Sequence, residues 1–255
     1  MLFAEERKRK IVETIEQNGK ATVDQLCREF SVSSATIRAD LRDLQAGDLL
    51  TRTHGGAIAR VKTSFELDSD QREVRNLQEK RRIARAALGL IENGDTIILD
   101  TGTTTIELAK LLGERRDLTV VTNDIAIART LEEVDSTGIL LMGGMVRKRF
   151  HCTVGTRGAD TLSGLLVDKA FMATNSFSVE RGAMTPDIAQ AETKRLMISI
   201  ANKVILLCDS SKFGKASFAM FATLAQIDTV VADRIPADIM KKLEESEIEV
   251  VLAQS

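Results

Sequence analysis

This sequence predicts an α/β protein in two parts: a small helical module carrying a β-hairpin, followed by a mainly parallel sheet layered by helices. Three observations predict it. The first sixty residues hold three short amphipathic helical patterns, then an alternating run folded about Gly55-Gly56. From Thr96 onward, seven apolar strand-like runs alternate with helical stretches, the pattern of a parallel sheet covered on both faces. The run Ile97-Ile98-Leu99 stops at Asp100 and turns through Gly102 into Thr103, Thr104 and Thr105 ahead of an amphipathic stretch, which reads as strand, tight loop and helix.

In the N-terminal module, Ile11, Val12 and Ile15 share one side of a helix from Glu5 to Gln17 that Gly19 closes. Thr22, with Gln25 three residues on, forms a capping-box pattern. Val23, Leu26, Cys27 and Phe30 then fall at helical spacing, a second helix closed by Ser31-Val32-Ser33. Ser33 or Ser34 caps a third helix, whose Ile37, Leu41 and Leu44 make the buried stripe. Ala35, Arg38, Ala39 and Arg42 are left on the outward face, with Thr36 near its edge. Two helices joined by a tight turn, the second exposing small residues and arginines near its start, suit a helix-turn-helix entering a DNA major groove. Small side chains allow close approach, and arginines reach phosphates or guanine edges. Leu49 to Ile58 alternates about the glycines as a wing able to lay Arg52 and His54 along the sugar-phosphate backbone. Residues 1–60 carry ten Lys and Arg against nine Asp and Glu, so charge alone does not separate a DNA reader from a three-helix module that contacts protein.

Composition narrows the classes further. A chain of 255 residues, 44% hydrophobic and 28% charged, is long enough to bury a real core in one or two domains. The formal charge of −2 speaks against binding polyanions over the whole surface. Cys27, Cys152 and Cys208 form no Cys-x-x-Cys pair, so no metal is called for and a reducing compartment fits. There is neither a signal-peptide core nor an apolar run of about 18 residues, so the protein is expected to be cytoplasmic, with no membrane partner. Trp and Tyr are absent, which disfavours recognition of single strands by base stacking.

Residues 61–76 are polar and charge-mixed, and are expected as a linker between a 1–60 module and a 77–255 domain. In the latter, strands are expected at Thr96 to Leu99, Leu118 to Thr122, Gly138 to Met142, Lys169 to Ala173, Lys203 to Cys208, Thr229 to Ala232 and Ile248 to Leu252. Helices are expected at Asp124 to Glu133, Arg157 to Leu165, Ala191 to Asn202 and Ala237 to Glu245, the last opened by Pro236. Ligands of such sheets bind at the carboxyl ends of the strands. Five of those ends carry polar or flexible groups: Asp100 to Thr105, Thr122-Asn123-Asp124, Gly143-Gly144, Thr174-Asn175-Ser176 and Asp209 to Gly214. Together they suit a polyhydroxylated anion, with the Thr103 to Thr105 amides and Lys212 as phosphate partners and Asp100, Asn123 or Asp209 as hydroxyl partners. A plain βα turn with a threonine cap accounts for the Thr103 loop equally well.

Several motifs carry a family resemblance. Glu6 to Ile11, Ser33 to Leu44 and Leu49 to Ala57 together resemble the DNA-binding domain of DeoR-type bacterial repressors. Ala39 stands where many members have a second arginine. Leu99 to Thr105, Val121 to Asn123, Met142 to Gly144, Asp168 to Phe171, Gly182 to Asp187, Glu192 to Arg195 and Asp209 to Gly214 resemble that family's sensor domain, which is related in fold to sugar-phosphate isomerases. Asn175 replaces an acid of the usual turn.

The resemblance implies a winged helix-turn-helix that binds a double-stranded DNA operator, a homodimer or homotetramer, and no cofactor. It also implies a phosphorylated sugar effector held at Asp100, Gly102, Thr103, Thr104, Thr105, Thr122, Asn123, Gly143, Gly144, Lys194, Asp209 and Lys212. A repressor of a carbohydrate operon is the leading expectation. The alternative is a sugar-phosphate isomerase-like enzyme with an accessory N-terminal module, which needs Asp100, Glu192 or Asp209 as general base.

Overall fold

The apolar stripes of the first sixty residues meet in one core. The computed structural model describes residues 3–47, 49–59, 66–155 and 161–254, and divides into two units, residues 1–62 and 63–255. In the first, α1 (Ala4–Asn18), α2 (Val23–Phe30) and α3 (Ser34–Ala46) bury Ile11, Ile15, Leu26, Ile37, Leu41 and Leu44. Gly19 ends α1 in the left-handed region, and the Thr22–Gln25 capping box opens α2. A short strand unmarked in the sequence, β1 (Lys20–Thr22), pairs antiparallel with β3 (Gly56–Ala59), which also pairs with β2 (Leu50–Thr53). The hairpin is thus the outer part of a three-stranded sheet with β3 at its centre. A Cβ on Gly56 would lie 2.1 Å from the Ala21 carbonyl oxygen, so only glycine lets the two strands close.

Polar residues also bind this unit together. Arg7 donates from Nε to Asp40 Oδ2 at 2.6 Å and from Nη2 to Oδ1 at 3.1 Å, a bidentate pair joining the buried sides of α1 and α3. Lys8 and Asp43 repeat the link at the surface, 2.8 Å apart, where solvent screens it.

The second unit is built on a seven-stranded sheet whose strands are all parallel: β4 (Thr96–Leu99), β5 (Leu118–Thr122), β6 (Thr137–Leu141), β9 (Val167–Ala173), β12 (Ala201–Leu207), β14 (Thr229–Ala232) and β15 (Glu249–Leu252). Their order is β15-β14-β12-β9-β4-β5-β6. All seven strand runs read from the sequence form this one sheet. Alternate residues feed two cores. Ile97, Leu99 and Phe171 face a layer containing α5 (Leu77–Leu88), α6 (Thr103–Ala109) and α7 (Ile125–Leu131). Ile98, Ala170 and Met172 face α8 (Ile188–Ser199) and α9 (Ala237–Glu245). Strand β6 is an edge, with Ile139 and Leu141 exposed.

One expectation differs from the structure. The 61–76 segment is not all linker: Asp68 caps a helix, α4 (Ser69–Val74), the Ser69 amide donates to the Arg149 carbonyl at 3.0 Å, and Glu66 to Asn76 belong with the second unit. Residues 60–65, and the first four residues of the helix expected from Arg157 to Leu165, lie outside the described residues. Two small antiparallel sheets also form from segments to which the sequence assigned no element. One joins β7 (Met145–Arg147) to β8 (Cys152–Val154); the other has the order β10 (Ser176–Ser178), β11 (Gly182–Thr185), β13 (Ala219–Ala222). Among the described residues no helix is long and apolar enough to cross a membrane.

Replacing Asp40 with alanine leaves the Arg7 charge in the core without its partner. Chemical denaturation of the full chain should then show the N-terminal unit destabilised by about 3–5 kcal/mol. A loss below about 1 kcal/mol would mean that apolar packing alone holds α1 to α3.

Candidate functional site

In the first unit the groups expected to read DNA share one outward surface of α3 and its wing. Ser33 is the N-cap, its Oγ accepting from the Thr36 amide at 3.2 Å. Ser34, Ala35, Arg38 and Arg42 are exposed, while Thr36 and Ala39 are half-buried. Arg52 on β2 and His54 in the turn are exposed as well. The positive end of α3 and two exposed arginines thus lie on the same side of the helix as its small residues, an arrangement a groove of negative phosphates accepts.

In the second unit, β4 leads through α6 to its neighbour β5, whereas the adjacent β9 leads to β12 on its other side. The chain leaves these two strands in opposite directions, so a crevice opens at their carboxyl ends. Asp100, one residue past β4, lies there fully buried. Its Oδ2 accepts from the Ala173 amide at 3.0 Å and from Lys194 Nζ, which also donates to the Ala173 carbonyl at 2.9 Å. Its Oδ1 has no partner among the described residues. Burial pushes the Asp100 carboxyl up in pKa, against the pull of Lys194. A Cβ on Gly102 would sit 2.6 Å from that of Ala173, so glycine is what allows the loop to pass this close to β9. Beyond it the Thr103 to Thr105 amides precede the first bond within α6, Ile106 to the Gly102 carbonyl at 3.0 Å, and no side chain caps them from Gly102.

The neighbouring strand ends continue this rim. After β5, the Thr122 hydroxyl accepts from the Asp124 amide at 3.1 Å, and Asp124 caps α7 while accepting from Thr101 at 2.6 Å. Asn123 donates to the Thr153 carbonyl at 2.8 Å; its Oδ1, also buried, has no partner among the described residues. After β12, Asp209 accepts from Asn76 at 3.0 Å and lies 3.9 Å from Lys212, which remains partly exposed. Burial raises the Asp209 carboxyl in pKa, but Lys212 and the Ser211 donors outweigh it and leave the group below the ordinary range. Gly143 and Gly144 are exposed past β6, with β5 between them and the β4 end. The expected residues therefore do gather at one rim, with two differences of role. Asp100 commits one oxygen to protein, and the Lys194 ammonium is paired inside rather than offered to solvent.

Sequence reasoning missed a second cluster at the same rim. Glu66, ahead of α4, is almost wholly buried. Its Oε1 accepts from Arg72 Nη1 at 2.9 Å and from Asn175 Nδ2 at 2.9 Å, and its Oε2 from Arg147 Nη1 at 2.7 Å. The Phe150 ring lies against both guanidiniums, 3.7 Å from Arg147 and 5.5 Å from Arg72. Lys80 of α5 ties α4 down by donating to the Arg72 and Arg75 carbonyls. The one signal available was Asp68-Ser69-Asp70-Gln71, a helix-start pattern inside the segment taken for a linker. Near the rim, burial pushes the Cys152 thiol up to about 11 and raises Cys208 well above its ordinary value.

An exposed recognition helix with a wing, joined in one chain to an α/β unit with a polar rim at its switch point, defines a helix-turn-helix regulator with its own sensor. Residues 7–63 match the DeoR-like helix-turn-helix domain and residues 75–234 the DeoR C terminal sensor domain. The chain belongs to the DeoR family of transcriptional regulators. It is 37% identical over 247 residues to the HTH-type transcriptional regulator GlpR of Haloferax volcanii, covering 96% of each chain. It is 32% identical over 250 residues to a putative aga operon transcriptional repressor of Escherichia coli O157:H7, covering 97% of this chain and 93% of that one. Among solved structures, ribose 5-phosphate isomerase A from Methanocaldococcus jannaschii aligns with a TM-score of 0.41 and 17% identity over 54% of this chain and 55% of that one.

Lys80 supplies a pH prediction. Burial, reinforced by the charge of Lys212, lowers its pKa from 10.5 to about 8. Between those values the unfolded chain holds a proton that the folded chain lacks, so the Lys80 contribution to stability grows as pH rises through the window and is lost as pH falls to about 8. Denaturation midpoints measured from pH 7.5 to 10.5 should therefore climb more steeply for the parent than for Lys80→Met. The difference should reach at most about 1.4 kcal/mol per pH unit; parallel curves would place the lysine in contact with solvent.

Proposed function

We propose that this protein is a DNA-binding repressor of a carbohydrate uptake or catabolism operon, relieved or modulated by a phosphorylated sugar at the carboxyl rim of the sensor sheet. It acts in the cytoplasm as a homodimer or homotetramer, because helix-turn-helix proteins read paired half-sites. One observation carries the sugar: Asp100 Oδ1 and Asn123 Oδ1, on adjacent strand ends, are buried acceptors without donors among the described residues. Buried acceptors left unsatisfied are costly, and ligand hydroxyls relieve that cost. The uncapped Thr103 to Thr105 amides and Lys212 supply the anion side of the same pocket. That the E. coli relative is named as an operon repressor supports repression over activation.

The mechanism is linkage. The effector binds better to the arrangement that fits the operator worse, and each tenfold preference supplies about 1.4 kcal/mol, so strong switching needs greater selectivity or several sites. Catalysis is the weaker reading. An isomerase needs a free base beside the carbon skeleton, whereas Asp100 is clamped by Lys194, Asp209 is held acidic and Glu192 points to solvent.

A thermal-shift screen of phosphorylated sugars and polyols should find a ligand that raises the melting temperature with concentration and releases operator DNA. If the protein ignores duplex DNA and every phosphosugar, or turns a phosphosugar over, this reading fails. Arg38→Ala or Arg42→Ala should weaken operator binding by about 1–3 kcal/mol with the fold retained. Unchanged binding would move the recognition surface elsewhere. Lys212→Ala should keep DNA affinity and blunt the effector response, and an unaltered dose-response would take Lys212 out of the pocket.

A further inference from the structure

The Glu66 cluster has the donor set of an oxyanion site: two guanidiniums and an amide converge on one carboxylate, with all three distances between 2.7 and 2.9 Å. Paired guanidiniums are the groups that grip phosphate or carboxylate most firmly. Phe150 braces both arginines, so the cradle keeps its shape without relying on the acid inside it. Arg72 Nε is buried with no partner among the described residues, leaving the cradle a spare donor. Among the described residues, Asp187 is a further negative group against it, 3.5 Å from Arg147 Nε. Asn175 follows β9, one of the two strands at the switch point, so the cradle borders the crevice assigned above to the effector. Glu66 itself lies four residues beyond the end of the DNA-reading unit in the chain.

We propose that Glu66 is a tethered stand-in for an anionic group of the effector. Resting on the reading of the rim as a phosphosugar site, the cradle of Arg72, Arg147 and Asn175 takes a second oxyanion of the ligand. The effector class is then one with two anionic groups, a sugar bisphosphate or a phosphorylated sugar acid. Entry of that group expels the Glu66 carboxylate and loosens the segment from Glu66 to Asn76. A competitor that fills the cradle about nine-tenths of the time weakens apparent affinity about tenfold, and removing it restores that factor.

The test uses the full chain and inorganic phosphate, with sodium chloride at matched ionic strength as control. Phosphate affinity is measured by calorimetry, and proteolytic cleavage within residues 66–76 reports release of that segment. In the parent, phosphate but not chloride should speed cleavage several-fold. Glu66→Gln and Glu66→Ala should bind phosphate about tenfold more tightly and be cleaved rapidly without it, whereas Arg147→Ala should be cleaved rapidly and ignore phosphate. Should Glu66→Ala lose the fold, seen as lost circular dichroism, the isosteric Glu66→Gln decides. Equal phosphate affinity in Glu66→Gln and the parent, or equal effects of phosphate and chloride, overturns the proposal. If phosphosugars still release operator DNA in that event, the sensor reading stands alone. Phosphate-driven cleavage with no response to any phosphosugar would instead uphold the cradle and remove the carbohydrate.

Discussion

The sensor unit depends on one buried ion pair. Asp100 and Lys194 lie 94 residues apart, yet together they fasten the ends of β4 and β9 and the middle of α8 through the Ala173 amide and carbonyl. Two charges withdrawn from water are tolerated only when each finds further hydrogen bonds, and here both bond to the backbone of the strand between them. The pair fixes where the switch-point crevice opens. By taking only one carboxylate oxygen of Asp100, it leaves the other facing no protein donor among the described residues. The same contact therefore sets the geometry of the rim and leaves one buried acceptor open at it.

A second constraint is steric. Gly102 brings the α6 loop against Ala173, and Gly56 brings β3 against β1; at each place a single added carbon would meet its neighbour well inside contact distance. In the DNA-reading unit this closure allows the wing to extend from a three-stranded sheet instead of standing as a lone hairpin, which is marginal by itself. The recognition helix is fixed from beneath by Arg7 and Asp40 while its arginines stay outside.

Much of this was legible in the chain because period and chemistry agreed. Runs such as Leu118 to Thr122 are long and apolar enough to mark buried parallel strands, and Thr22–Gln25 and Ser33 mark helix starts by capping chemistry. Strands of three residues, such as Ser176–Ser178, complete no alternation and leave no mark in the sequence. Long-range pairing left no trace either. Glu66 and Arg147 are 81 residues apart, and nothing local to either announces the other. Asp100 reads from the sequence as a hydroxyl partner with no hint of its lysine, since a carboxylate that accepts from a buried lysine and one that awaits a hydroxyl are the same letter. Lys194 entered through resemblance alone, because a lysine on an amphipathic helix ordinarily reads as solvated.

The thiols of Cys152 and Cys208 sit close to this rim, one in β8 and the other beside Asp209. Their burial holds the protons on, and a sulfur that stays protonated near neutral pH is a poor nucleophile. Peroxide and electrophiles thus meet two inert atoms there. Near neutral pH neither sulfur therefore adds a charge to the rim, whose electrostatics are left to its carboxylates and lysines.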